Sequence, residues 1–162
     1  MINIDPPSSS LALDAFPTIS KSGLARFLNR ARSAVALEGE VDVLLTSDAE
    51  IKRLNKAFRG KNKATDVLSF PAPAEAEGVA GDLAVSLDTA TRQAAEHGHT
   101  LRDELRILLL HGLLHLAGED HETDAGEMAA REFDLRRELK LPNGLIERTE
   151  APKANPKARK SR

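Results

Sequence analysis

The longest apolar run of this 162-residue chain reads Ile107-Leu-Leu-Leu-His111-Gly-Leu-Leu-His115-Leu-Ala117, and Gly118-Glu-Asp-His121 follows it directly. Written as a helix, the run carries leucine or isoleucine on nearly every side, which is typical of a helix buried at the centre of a domain. It is too short to cross a bilayer, and it contains two histidines. We therefore predict a central buried helix that bears histidines.

Three of the five histidines fall inside this stretch, at positions 111, 115 and 121. Residues four apart share a helix face, so His111 and His115 should point the same way. Glycine readily adopts the left-handed conformation that ends a helix, and we expect Gly118 to turn the chain so that His121 returns toward the other two. One metal ion would satisfy all three imidazoles in these apolar surroundings. Three protein ligands with an open fourth position are typical of catalytic zinc.

The same histidine spacing occurs in zinc proteases of the pattern His-Glu-x-x-His-x-x-Gly-x-x-His, whose glutamate is the general base. Here the glutamate position is Gly112, so the ligand pattern is retained without the protease base. We therefore expect a substrate other than a peptide. Glu119, Asp120 and Glu122 flank His121 and are candidates for partners of the ligands or for a base, although for Glu119 we favour a solvated acidic loop.

A run of positive charge lies between positions 52 and 63. It contains six basic residues and no acid: Lys52, Arg53, Lys56, Arg59, Lys61 and Lys63. A solvated helix face explains any one of them, but six without a countercharge favour a polyanionic partner. The chain has no tryptophan or tyrosine, so phosphate contacts should dominate and base stacking would have to rely on phenylalanine, histidine or arginine.

The remaining periodicity predicts an α/β fold, with a small mixed, mostly four-stranded sheet packed with helices around the histidine-bearing helix. We expect strands at residues 2–4, 41–45, 66–70 and 82–86, the last two pairing as a hairpin. Further helices are expected at residues 20–37, 48–60, 88–96 and 124–139. Thr100 and Asp103 resemble a capping box at the start of the histidine helix. In the helix at 48–60, the buried face should carry Ile51, Leu54 and Phe58.

Composition and charge suggest one domain followed by a tail. The absence of cysteine excludes disulfides and thiolate ligands. We expect a single domain at residues 1–149 and a basic, disordered tail at residues 150–162, because residues 151–162 carry five basic side chains and no acid. The N-terminus lacks the features of a signal peptide, so we expect a cytoplasmic protein without a membrane segment.

Several motifs resemble one known family. His111-Gly-Leu-Leu-His-Leu-Ala-Gly-Glu-Asp-His121 resembles the signature of the YbeY family of bacterial rRNA-maturation endoribonucleases. Asn55-Lys-Ala-Phe-Arg59, followed by Thr65-Asp-Val-Leu-Ser-Phe-Pro71, is similar to a second motif of that family, and Gly81-Asp-Leu-Ala-Val-Ser86 and Glu127-Met128 are similar to smaller ones. The resemblance covers about residues 40–140. Glu119 departs from it, since the family more often has an aromatic residue there.

The resemblance implies a zinc-dependent, single-strand-specific endoribonuclease that acts in 16S rRNA 3′-end maturation and ribosome quality control. Its partners would be the 16S rRNA precursor and the small ribosomal subunit. It also implies one zinc ion per chain and a substrate-contacting role for Arg59. The implied zinc ligands are His111, His115 and His121.

Arg59 is the candidate catalytic residue, because a guanidinium binds phosphate bidentately and stabilises developing charge. The candidates for substrate binding are Arg59, Lys56, Lys61 and Lys63. Two alternatives stay open: a ribosome-assembly factor in which zinc is purely structural, and a metal-dependent hydrolase of another substrate such as a peptide. A fourth protein ligand on the metal would favour the assembly factor, and an open position would favour an enzyme. The native metal is also open, since imidazole suits nickel, copper and iron.

Overall fold

A mixed four-stranded sheet organises this computed structural model, which describes residues 1–4 and 19–142. Its strands are β1 (Ile2–Ile4), β2 (Glu40–Thr46), β3 (Val67–Pro71) and β4 (Val79–Ser86). The sheet order is β1-β2-β4-β3; β1 and β4 run parallel to β2, and β3 pairs antiparallel with β4 at one edge. The predicted mixed sheet and its hairpin are confirmed. The tail predicted at residues 150–162 lies outside the described residues.

Five helices occur among the described residues: α1 (Lys21–Val35), α2 (Asp48–Arg59), α3 (Leu87–His97), α4 (Leu101–Leu116) and α5 (Glu127–Glu138). A side-chain hydroxyl caps the start of each of the first four and accepts a hydrogen bond from the backbone N–H three residues on. Their caps are Ser20, Ser47, Ser86 and Thr100. These local signals explain why the predicted helices agree with the observed ones to within a few residues. None of the helices described here combines the length and apolar character that a bilayer span requires.

The sheet separates α4 from α2. The side chains of Leu83 and Val85 on β4 join α4 in the main hydrophobic core. Ala84, between them, joins Ile51 of α2 and Leu68 of β3 in a second, smaller cluster. Because successive side chains of a strand point to opposite faces, α4 lies on one face of the sheet and α2 on the other. The predicted central position of the histidine helix is confirmed.

Gly112 marks the closest approach of α4 to the sheet. A β-carbon built at this position would lie 2.8 Å from Cδ2 of Leu83 and 3.1 Å from its Cδ1. Carbon atoms pack at about 3.5–4.0 Å, so any side chain at position 112 would have to displace Leu83. Position 112 therefore faces β4, and close packing gives a reason for glycine there that is independent of catalysis.

Phe58 does not lie where the helical pattern predicted. The pattern placed it with Ile51 and Leu54 on the buried face of α2, but its side chain is 69% exposed. Its ring instead contacts the half-buried ring of Phe70 on β3, edge to face, with centroids 5.6 Å apart. The prediction was wrong because the last turn of α2 reaches β3, and no further strand of the described sheet covers that edge.

Candidate metal centre

α4 and the turn that follows it bring three imidazoles together. His111 and His115 lie one helical turn apart, and their Nε2 atoms are 3.1 Å from each other. Gly118 then takes a left-handed φ of +93°, which reverses the chain after the helix. One nitrogen from each of these two rings and one from His121 lie within 4.8 Å of one another. The convergence expected from the spacing is therefore present.

The donor set fits a divalent metal ion. Tetrahedral zinc, with bonds of about 2.0–2.1 Å, separates its nitrogen ligands by about 3.3 Å, which is close to the distance between the two helical Nε2 atoms. The Nδ1 atom of His121 is buried and has no hydrogen-bond partner among the described residues. Burial, followed by the charges of His111 and His121, lowers the pKa of His115. A lowered pKa favours the neutral ring that metal binding requires.

No fourth histidine, cysteine or acid joins this group in the part of the chain that the structure describes. Structural zinc sites usually have four protein ligands, whereas catalytic sites have three and leave one position for water or substrate. The arrangement therefore supports an enzyme over a purely structural metal. His97 and His99 form a separate stacked pair, with ring centroids 5.9 Å apart.

Glu132 orients the first of the three rings. Its Oε2 atom lies 2.7 Å from Nδ1 of His111, and both side chains are buried. A carboxylate that accepts a hydrogen bond from Nδ1–H keeps the proton on that nitrogen and leaves Nε2 free to bind a metal. This residue is not among those predicted from the sequence. The available signal was an acid within the buried stripe of α5, between Met128 and Leu135, because a buried carboxylate needs a partner.

The acids beside His121 have partners of their own. Glu119 forms an ion pair with Arg131 of α5 and is only 20% exposed, so the predicted solvated loop is wrong for this residue. Asp120 accepts a hydrogen bond from the backbone N–H of Glu122 at 3.0 Å and shapes the turn. Glu119 thereby ties the turn after α4 to α5, the helix that also carries the partner of His111.

The three histidines line a cavity of about 780 Å³, and residues of the edge strand β3 form part of the same lining. Of the predicted substrate-binding residues, Arg59, Lys61 and Lys63 line this cavity, whereas Lys56 is exposed on α2 outside its lining. The buried Asn55 holds this wall in place, since its Nδ2 donates to the backbone oxygen of Lys63 at 3.0 Å. The structure therefore brings three of the four residues to the histidines.

The basic run is less uniform than the sequence suggested. Arg53 donates two hydrogen bonds to Glu50, at 2.8 and 2.7 Å, so one of the six cations has a countercharge one turn away. Glu50 lies just outside residues 52–63, so the basic run by itself does not show this pairing. Arg59 forms no ion pair with any described acid, which leaves its guanidinium available to an anion.

Comparison with known proteins identifies the family. A sequence profile described as Endoribonuclease YbeY matches residues 11–140. A protein of that name from Koribacter versatilis is 56% identical over 144 residues, which cover 89% of this chain and 93% of the relative. Another from Solibacter usitatus is 48% identical over 147 residues, covering 90% and 98%. The solution structure of TM1509 from Thermotoga maritima is similar with a TM-score of 0.54 and 30% identity, over 97% of this chain and 99% of that one. The chain therefore belongs to the YbeY family of endoribonucleases.

Proposed function

We propose that this protein is a single-strand-specific endoribonuclease that depends on one zinc ion per chain, held by His111, His115 and His121. The observation that carries the proposal is the convergence of three imidazoles on a cavity with a basic wall. Among the described residues no fourth side chain completes the group, which supports catalysis. When bound, zinc supplies a Lewis acid for a phosphodiester oxygen and for water.

Arg59 is proposed to bind the phosphate of the bond that is cut. It lies in the last turn of α2, is exposed, and lines the cavity that contains the histidines. Its planar guanidinium donates two parallel hydrogen bonds to a phosphate and stabilises the negative charge that develops during cleavage. Lys61 and Lys63 extend the positive charge along the same wall, while Lys56 is left to attract RNA from outside the cavity.

Glu132 is proposed to act through His111 and not on the substrate. It is buried behind the imidazole, on the side away from His115, and keeps the Nδ1 proton in place. A fixed tautomer presents the Nε2 lone pair in one orientation, so the ring does not have to reorganise when the metal binds. The reactive geometry is thus prepared by α4 and α5 before RNA arrives.

The substrate in the cell is proposed to be the 3′ end of the 16S rRNA precursor on the small ribosomal subunit, and the compartment the cytoplasm. Membership of the YbeY family supports the RNA substrate. Arg59, Lys61 and Lys63 lie together on one wall and support a polyanion over a peptide, while the acids of the lining, Asp66, Glu119, Asp120 and Glu122, lie just before β3 and in the turn that carries His121. We also propose that residues 1–149 form a single domain, which a basic tail at residues 150–162 follows.

The function is tested by assaying the purified protein on single-stranded RNA, on duplex RNA and on an unfolded protein, each with and without a chelator. We expect cleavage of single-stranded RNA only, which is lost with the chelator and restored by zinc. The His115→Ala variant should be inactive, and His97→Ala, which changes a cavity residue outside the histidine group, should keep its zinc. Chelator-sensitive proteolysis that is lost in His115→Ala, with the RNA left intact, would overturn the proposal.

A further inference from the structure

Phe58 is the aromatic side chain that the fold leaves in solvent beside the cavity. Its side chain is 69% exposed, although Phe70, the ring that it contacts, packs against the buried cluster of Ile51, Leu68 and Ala84. The next residue, Arg59, lines the cavity. The ring of Phe58 contacts Phe70, whose two neighbours along β3, Ser69 and Pro71, also line the cavity. Neither Phe58 nor Phe70 lines the cavity itself, but each adjoins residues of its wall, and this places Phe58 at the rim.

The ring of Phe58 is restricted in its orientation, although most of its surface is exposed to solvent. The edge-to-face contact with Phe70, at 5.6 Å between centroids, restricts its orientation. Phe70 is half-buried on a strand of the sheet, so the support itself is fixed. A single exposed apolar residue is common and needs no explanation. This one is distinguished by its setting, since it adjoins Arg59, which forms no ion pair with a described acid, and the cavity wall that continues to Lys63.

We propose that Phe58 is a stacking platform for one unpaired base of the RNA. The inference rests on the proposed function and names a determinant of its single-strand specificity. Consecutive helical residues point about 100° apart, so Phe58 and Arg59 present an aromatic face and a phosphate-binding fork side by side. A nucleotide carries the two groups that they would bind, a base and a phosphate. Stacking on an aromatic side chain is tolerant of sequence, and a base inside a duplex is already stacked and is not available.

Phe133 provides a matched control. It is the other exposed phenylalanine among the described residues, with 39% of its surface exposed, and it lies on α5. The guanidinium groups of Arg136 and Arg137 lie over its ring, at 4.9 and 5.8 Å from the centroid. Neither Phe133 nor its neighbours Glu132 and Asp134 line the cavity, whereas Arg59, next to Phe58, does. An effect of aromatic substitution that is peculiar to the cavity rim should therefore appear at position 58 and not at position 133.

The absence of tryptophan from the chain allows a direct spectroscopic test. Phe58→Trp and Phe133→Trp each give a protein with one tryptophan, whose emission is quenched when a base stacks on the indole. Each zinc-loaded variant is mixed in a stopped-flow instrument with a short oligouridylate, with a matched abasic oligomer and with a duplex, and emission is recorded before cleavage begins, as gels of quenched samples verify. We expect the oligouridylate to quench Phe58→Trp only, and the abasic oligomer to bind without quenching. Unchanged emission from Phe58→Trp while oligouridylate binds would overturn the proposal.

Kinetics separate stacking from simple apolar packing. Phe58→Ala and Phe58→Leu should raise KM for single-stranded RNA by about 5- to 100-fold with kcat and zinc content near those of the unsubstituted protein, while Phe58→Tyr should restore KM. Full recovery in the leucine variant would contradict the proposal, because leucine fills space without an aromatic face. If the unsubstituted protein cleaves no RNA, the proposed function fails, and the fluorescence measurement still decides whether position 58 stacks on a base.

Discussion

Replacing Glu132 with glutamine is expected to weaken zinc binding while the fold persists. The amide keeps the size of the side chain and an oxygen that accepts the hydrogen bond from Nδ1 of His111, which spans 2.7 Å in the structure. It removes the negative charge behind the ring. Loss of such a partner typically costs about 10- to 100-fold in metal affinity, or about 1.4–2.8 kcal/mol. Both side chains are buried, so solvent and salt screen the effect little.

The metal-free protein should be affected less. A hydrogen bond to a charged group contributes about 1.5–3 kcal/mol to stability and a neutral one about 0.5–1.5 kcal/mol. The free energy of unfolding of the metal-free Glu132→Gln variant should therefore be about 1 kcal/mol lower than that of the metal-free unsubstituted protein. Glu138 lies on the same helix with its side chain exposed, and Glu138→Gln should change neither zinc affinity nor unfolding.

Two measurements decide the outcome for Glu132. Competition with a fluorescent chelator gives the zinc Kd of each variant, and urea unfolding in the presence of chelator gives the stability of the metal-free fold. Equal zinc affinity in Glu132→Gln and the unsubstituted protein would show that this carboxylate does not tune His111. If the Glu132→Gln variant does not fold without metal, Glu132 mainly stabilises the core.

Gly112→Ala should lower the free energy of unfolding by about 1–3 kcal/mol, since its β-carbon would meet Leu83 at 2.8 Å; an unchanged urea midpoint would contradict this. Arg59→Lys should reduce RNA cleavage at least about tenfold with normal zinc content, because lysine lacks the planar fork; full activity would show that diffuse positive charge suffices. Burial raises the pKa of Asp48, but hydrogen bonds from two hydroxyl groups and from Arg92 outweigh it and hold this pKa below its usual range. Asp48 therefore stabilises the fold at neutral pH and loses this effect as pH falls below about 4. The stability difference between the unsubstituted protein and Asp48→Asn should shrink over that range in urea titrations, and a constant difference would contradict the assignment.

The sequence predicted what depends on neighbours along the chain. The apolar run of α4, the cap at Thr100 and the turn at Gly118 are local signals, and together they determine where the helix starts, where it ends and how His121 returns. The hairpin of β3 and β4 was predictable for the same reason. The order of the sheet was not predicted, because the parallel pairing of β1 with β2 joins segments about 40 residues apart.

The errors at the site have a common cause. A helical wheel shows which residues share a face, but it does not show where the covering sheet ends, and so Phe58 was assigned to the core. Glu132 is 21 residues from His111, and nothing in the local pattern of α5 says which buried group its carboxylate meets. The pairing of Glu119 with Arg131 is likewise a contact between elements. In each case the missing information was the packing of one element on another.

Zinc content measured by elemental analysis shows whether the three histidines hold the metal. The unsubstituted protein should hold one zinc ion per chain after dialysis, and replacement of His111, His115 or His121 by alanine should remove most of it, because two imidazoles bind zinc far more weakly than three. The matched variants His97→Ala and His99→Ala should retain the full amount, since neither residue belongs to the group of converging nitrogens. Full zinc occupancy in His121→Ala, or its loss in His97→Ala, would contradict a site built from these three histidines.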